Sequence, residues 1–438
     1  MENKHIQTPE RIDEYIKSGI QKGKRHKKIR SRAIVSTMSS IALIFLLVTS
    51  IKVSPAFANT LKSIPGIESI IEMIEGDKGL EDAVVNDFIH EVNVSQTHEG
   101  IKVSVDRIIV DESRMILFYS IEASNQYTFL RLHSPDLLNE DGEELHDISY
   151  SYNDPSENVN FAKGEKMEGK IVINLTENAV VPNTLILNTR LEETDSATST
   201  TGTQLGVDWN LKIPIDKEWF KNTKETIPIH KEISIEGQKV QFEKMVIHPT
   251  RIGLYVKLDQ SNTKQLFHFD DLKLVDEKGE HWLPIDNGVT RTGGENDYVL
   301  YFQSNYFRKP AELYLSGSSV RAIPKGERTI VIDVRNEKLV KAPRDNRITL
   351  DGVTKLEDNV QLDFSVKYEQ IDKHAHYELF RHTPVNMEVN GQEMVSSDDS
   401  LVRYHHYSIQ NPTNQKEVIL KLIDYPNRIT EPFKIKIK

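Results

Sequence analysis

Apolar and polar positions along the chain fall into four successive patterns. Ile12, Tyr15, Ile16 and Ile20 recur at helical spacing behind Thr8-Pro9-Glu10, which supplies a capping hydroxyl, Pro at the first helical position and an acid in the first turn. Two or three turns are too few to fold alone in water, so this stripe predicts a helix that either rests on a membrane surface or waits for a partner's groove. The nineteen residues from Ala33 to Ile51, AIVSTMSSIALIFLLVTSI, carry no charge. As a helix they reach roughly 28 Å, close to the ~30 Å hydrocarbon core of a bilayer, and predict one membrane crossing. A third pattern, with Ile67, Ile70, Ile71 and Ile74 on one face and Leu80, Val84 and Phe88 on another, predicts short helices opened by Pro65 and broken at Gly76. From about Val92 onward the chain alternates in short runs separated by Asp, Asn, Gly and Pro, as in an all-β sandwich or barrel.

The β part repeats. VSVDRIIVDESRMILFYSIE from Val103, VQFEKMVIHPTRIGLYVKLD from Val240 and ITLDGVTKLEDNVQLDFSVKY from Ile348 each read as strand, polar turn and strand, a hairpin with an apolar inward face. LLNEDGEELHD from Leu137 echoes LVDEKGEHWLP from Leu274, and VPNTLILNT from Val181 echoes KPAELYLSG from Lys309. WNLKIPID, RTIVIDV and PFKIKIK read as closing strands. The expected architecture is mostly β: a tail (1–32), a transmembrane helix (33–51), a helical collar (52–92) and three tandem immunoglobulin-like β-sandwiches at 93–216, 226–336 and 344–438. Polar linkers containing Pro228 and Pro343 separate the sandwiches, and the Ser/Thr-rich stretch from Glu193 is expected as a solvated loop.

Charge gives the crossing a direction. Seven cations, Lys22, Lys24, Arg25, Lys27, Lys28, Arg30 and Arg32, precede the apolar run and only Lys52 lies just beyond it, so the N-terminus is expected in the cytoplasm and the C-terminal body outside the cell. The first 32 residues balance to +6, leaving −17 for the rest of a chain whose total is −11. The basic stretch suits anionic headgroups and reads as a topology determinant rather than a nucleic-acid site. Ala56-Phe57-Ala58 after the run also fits a cleaved signal peptide, but the run and its basic leader are longer than such signals need, which favours a retained anchor. With no Cys among 438 residues, disulfides, thiolate metal sites and cysteine nucleophiles are excluded.

Little in the sequence points to catalysis. His374, His376, His382, His405 and His406 cluster in the third β segment, but no HExxH accompanies them and scattered His on a β surface is the plainer reading. The acidic turns lack the ligand ladder of a calcium loop, and Ser261 with Lys264 matches S-x-x-K without its companion motifs. No nucleophile elbow, phosphate loop or dinucleotide fingerprint occurs, so no enzyme activity, cofactor or metal is expected.

The order of basic leader, anchor, VSPAFANTLKSIPGIESIIEMI, DKGLEDAVVNDF and the hairpin with its DESR turn resembles the domain-of-unknown-function family 4179 of Gram-positive membrane proteins, over about residues 30 to 125. Ile227 to Arg335 is similar to the domain of unknown function 5643. The resemblance implies a membrane-anchored extracytoplasmic protein associated with an extracytoplasmic-function sigma factor, acting as an anti-sigma-like negative effector. In a 32-residue tail, the partner-binding surface it implies is the stripe Ile12, Tyr15, Ile16 and Ile20. An envelope ligand would then act on the outer domains. The alternative expectation is an envelope binding or adhesion protein whose tail only orients the anchor.

Overall fold

The computed structural model describes residues 67–438 except 125–126, 154–160, 162–163, 197–198, 200, 286–290, 357–358, 373–377, 381–386, 397–400 and 411–415. From Ser69 to Lys438 the chain forms one compact unit. The tail stripe, its basic run and the predicted anchor at 33–51 lie outside the described residues. Among the described residues no helix is long and apolar enough to cross a membrane.

Two short helices, α1 (Glu68–Ile74) and α2 (Lys78–Val85), precede an otherwise β body. Asp77 caps α2, its Oδ1 accepting from the amides of Gly79 and Leu80 at 3.1 and 3.2 Å. Strands β1 (His90–His98), β2 (Ile101–Val110), β3 (Arg114–Glu122), β4 (Phe129–Leu138), β5 (Ile148–Asn153), β6 (Met167–Leu175), β7 (Thr184–Thr194) and β8 (Thr203–Pro214) build the first pair of sheets, ordered β1-β2-β3-β6-β5 and β4-β7-β8. A 3-10 turn at Lys217–Phe220 leads to the second pair.

The second pair starts with β9 (Glu225–Ile235), β10 (Gln238–Ile247), β11 (Arg251–Leu258), β12 (Lys264–Phe269), β13 (Lys273–Asp276) and β14 (His281–Trp282). It continues with β15 (Arg291–Gly293), β16 (Asp297–Gln303) and β17 (Leu313–Pro324), in orders β15-β16-β11-β10-β9 and β12-β17-β13-β14. A single apolar core joins these two sheets, from Phe242, Leu254 and Phe302 on one to Leu274, Trp282 and Leu315 on the other.

The three hairpins predicted from the repeat are present as β2–β3, β10–β11 and β20 (Ile348–Lys355) with β21 (Asn359–Tyr368). They match in detail. Each first strand bulges just after the third residue of its repeat, at Val105, Phe242 and Leu350. Each turn then closes with the same backbone bond, from Asp111 to Arg114, His248 to Arg251 and Leu356 to Asn359, at 2.9, 2.9 and 2.8 Å. The acidic turns match too: Asn139 Oδ1 accepts from the amides of Asp141 and Glu143, as Asp276 Oδ1 does from Lys278 and Glu280.

Two closing strands sit where the repeat does not put them. RTIVIDV, expected to finish the second β segment, supplies β18 (Thr329–Asp333), which lies between β19 (Lys338–Lys341) and β24 (Glu417–Lys421). PFKIKIK, expected to finish the third, belongs to β25 (Arg428–Lys436), which pairs with β17 of the second sheet pair from Arg321↔Arg428 to Tyr314↔Lys436. Its alternating Phe433, Ile435 and Ile437 pack on the second core together with fully buried Ile429. The third sheet pair, β19-β18-β24 and β20-β21-β23-β22 with β22 (Met387–Ser396) and β23 (Leu401–Gln410), is therefore an insertion between β17 and β25.

Two chain crossings and a set of ion pairs fasten this insertion. Arg328 forks onto Glu295 with both bonds at 2.8 Å, and Lys421 reaches the same carboxylate at 3.0 Å. The Arg328 hydrogen bonds, helped by Lys421, draw the Glu295 carboxyl down to about 2. A carboxyl held below its unfolded value of ~4.3 stabilises the fold above that value and loses the contribution as pH falls toward 2. Thermal denaturation of Glu295→Gln should accordingly lose less stability than the wild type between about pH 5 and pH 2; parallel curves would remove Glu295 from the acid response.

Candidate functional site

The second helix of the collar is locked to two sheet pairs at once. Asp77 Oδ2 accepts from Arg114 Nη1 at 2.8 Å, tying the α2 cap to the first hairpin turn. On the same helix, the carboxylate of Asp82 accepts from Arg308 Nε and Nη2 at 2.8 and 2.7 Å, tying it to the second sheet pair. Burial nevertheless holds the Asp82 carboxyl above its usual range despite the guanidinium. Gly79 makes the docking close: a Cβ there would lie 2.6 Å from the Ser304 amide nitrogen and 2.9 Å from the Thr250 carbonyl oxygen. Gln303 Nε2 donates to the Gly76 carbonyl and Lys78 Nζ to that of His281, at 2.6 and 2.8 Å.

Beneath the helix, the first two hairpin turns press together, Asp111 and Ser113 of one against Thr250 and Arg251 of the other. Asp111 is fully buried; its Oδ1 accepts from the Ser113 amide and hydroxyl and from the Arg114 amide, and its Oδ2 from the Thr250 amide at 2.8 Å. Arg251, 1% exposed, reaches back to Asn174 Oδ1 at 3.0 Å and to the carbonyls of Ser113 and Leu175 at 2.6 and 2.9 Å. Its guanidinium carbon lies 3.8 Å from the Tyr301 ring centroid. Burial lowers its pKa to about 10, which leaves it charged at neutral pH. A buried charge held by three oxygens and a ring face costs several kcal/mol to strand, so the joint is stiff as long as both turns stay in place.

A cleft of about 260 Å³ opens beside this joint, between the two sheet pairs. Its floor is the outer face of β11 and β16, where Gly253 lies between Tyr255, Val299 and Tyr301. Its walls come from the first hairpin turn, the loop after β6 and the 3-10 linker.

The sequence-predicted residues fare unevenly. Ile12, Tyr15, Ile16, Ile20 and the basic run are outside the described residues, as are His374, His376 and His382. His405 and His406 are described and point to opposite faces of β23. His405 is buried, its Nε2 3.1 Å from the Tyr368 hydroxyl, and burial pulls it down to about 4; His406 Nδ1 meets Asp363 at 2.7 Å. Among the described residues no group of three or more His, Cys, Asp or Glu is placed to hold a metal. Ser261 donates to Asp259 at 2.6 Å and Lys264 reaches Glu236 at 3.4 Å, so the S-x-x-K residues serve turns. In the sequence DKGLED marks a helix and DESR and HPTR mark hairpin turns, without showing that these segments dock on one another, and nothing there marks Ser304 to Arg308. The signal available was the repeat: Arg114 and Arg251 occupy the same place in two hairpins whose turns otherwise differ.

No curated protein matches the chain. Among solved structures, the conserved domain protein from Bacillus anthracis is similar at 15% identity with a TM-score of 0.39, covering 61% of this chain and 87% of that one. Two family models match, both of unknown function. The joint lies where their segments meet: residues 26–123, which carry Asp77, Asp82, Asp111 and Arg114, match the domain of unknown function DUF4179, and residues 224–351, which carry Thr250, Arg251, Ser304 and Arg308, match the family of unknown function DUF5643.

Proposed function

We propose that the protein is a single-pass, membrane-anchored regulator, with a cytoplasmic N-terminal tail and an extracellular body of immunoglobulin-like sandwiches. In this reading the tail restrains an extracytoplasmic-function sigma factor as an anti-sigma-like negative effector, and the body receives the signal from an envelope ligand. The observation that carries it is the double clamp on α2. The helix begins 27 residues beyond Ile51, and Asp77 and Asp82 bind it to different sheet pairs, so a change in either pair would be passed to the chain that leads toward the anchor.

On the cytoplasmic side, Ile12, Tyr15, Ile16 and Ile20 offer few side chains, each worth ~1.5–3 kcal/mol when fully buried. Affinity for the sigma factor is therefore modest, which suits a hold that must be released. Tyr15→Ala combined with Ile16→Ala should raise sigma-dependent transcription several-fold, read with a promoter fusion beside an immunoblot. Unchanged transcription at normal protein level would leave the regulatory reading without its tail.

A further inference from the structure

We propose that the cleft beside the joint is a binding site for a small organic monoanion with an apolar body, whatever the tail holds. Three observations fit together. The floor dips at Gly253, where an added Cβ would meet Val299 at 3.1 Å and the Tyr301 and Tyr255 rings at 3.6 and 3.8 Å, so the dip is shallow and bounded by two aromatic rings. The walls add Val181 and Phe220, and Val180 stands 75% exposed at the mouth, an apolar residue with no packing role of its own. At about 260 Å³ the space takes a small molecule and not a polypeptide segment.

The charges choose the ligand. Lys224 pairs with Glu112 at 3.4 Å and Lys244, next to the cleft, with Glu177 at 3.2 Å, while Glu177 also accepts from the Tyr255 hydroxyl. Lys217 lines the cleft with no carboxylate partner among the described residues. Under the floor, Arg251 spends its hydrogen bonds on the neutral oxygens of Asn174, Ser113 and Leu175. The Asp111 carboxylate nearby is occupied by backbone amides and the Ser113 hydroxyl. The lining therefore carries three cations, Lys217, Lys224 and the buried Arg251, against the two carboxylates of Glu112 and Glu177. An anionic head at Lys217 with a flat or branched body over Gly253 satisfies both the charge and the dip.

The test uses the full-length protein in nanodiscs, titrated calorimetrically with benzoate, with benzamide as its uncharged counterpart and inorganic phosphate as an anion lacking the body. Benzoate should bind saturably and at least about tenfold more tightly than either control. Lys217→Gln should weaken benzoate about fivefold, and Gly253→Val, whose branched side chain crowds Val299 and the two tyrosine rings, should abolish binding in protein shown by its thermal midpoint to be folded. Absence of saturable benzoate binding, equal binding of benzamide, or benzoate binding that survives Gly253→Val in a folded protein would each overturn the assignment. If Gly253→Val does not fold, Lys217→Gln with Lys224→Gln decides in its place: unchanged benzoate affinity refutes the site.

Discussion

Deleting the last eleven residues, 428–438, should unfold the second sheet pair while the first stays folded. The deletion removes a nine-residue strand paired along β17 and takes Ile429, Phe433, Ile435 and Ile437 out of the second core. It also removes Arg428, which bridges Asp270 at 2.9 Å and the buried Asp372 of the inserted pair, and the bond from Lys231 Nζ to the Lys436 carbonyl at 2.6 Å. One buried and three half-buried apolar side chains are worth about 4–8 kcal/mol, comparable to the whole stability of a domain. Trp282, buried in that core, reports the loss by a red-shifted emission, and limited proteolysis should cut within 225–324 while sparing 90–214. If the truncated chain kept Trp282 buried and lost only the inserted pair, β25 would be dispensable to the second core and the insertion topology would be wrong.

Gly79→Ala should destabilise the protein even though Ala is the better helix former. In a free helix the exchange gains ~1 kcal/mol. Here the new methyl would meet the Ser304 backbone nitrogen at 2.6 Å, the Ser304 Cβ and the Thr250 carbonyl at 2.9 Å each, and two of these three atoms are backbone that cannot swing aside. Overpacking of this kind costs about 1–3 kcal/mol, so the helix should lift and both clamps, Asp77–Arg114 and Asp82–Arg308, should weaken together. Hydrogen exchange of the amides of 78–85 should accelerate at least tenfold with the inserted pair unaffected. A neutral or stabilising Gly79→Ala would mean that α2 is not seated on the second sheet pair.

The all-β body, the three hairpins and the two acidic turns were legible because strand alternation and turn residues are local, whereas the bulge that the three hairpins share, at Val105, Phe242 and Leu350, leaves no mark in that alternation. The destinations of RTIVIDV and PFKIKIK were not legible. Both are short alternating strands with one apolar face, and that pattern states which face is buried without naming the sheet that buries it. The joint failed to appear for a related reason. Asp77, Asp82, Arg251 and Arg308 are ordinary surface residue types in sequence, and only long-range docking makes Arg251 a buried charge and Gly79 a contact point. The His pair at 405 and 406 shows the converse: adjacency in sequence puts the rings on opposite faces of one strand, where they cannot share a ligand.

In the proposed function the cytoplasmic tail is the working end of a signalling protein. The most direct test of this claim is affinity recovery of the tagged full-length protein from solubilised membranes, beside a version lacking residues 2–20, with the bound proteins identified by mass spectrometry. A sigma factor recovered with the first and absent from the second is the predicted result. The same companions with both versions, or none with either, would contradict the claim and leave the tail as a device that only orients the anchor.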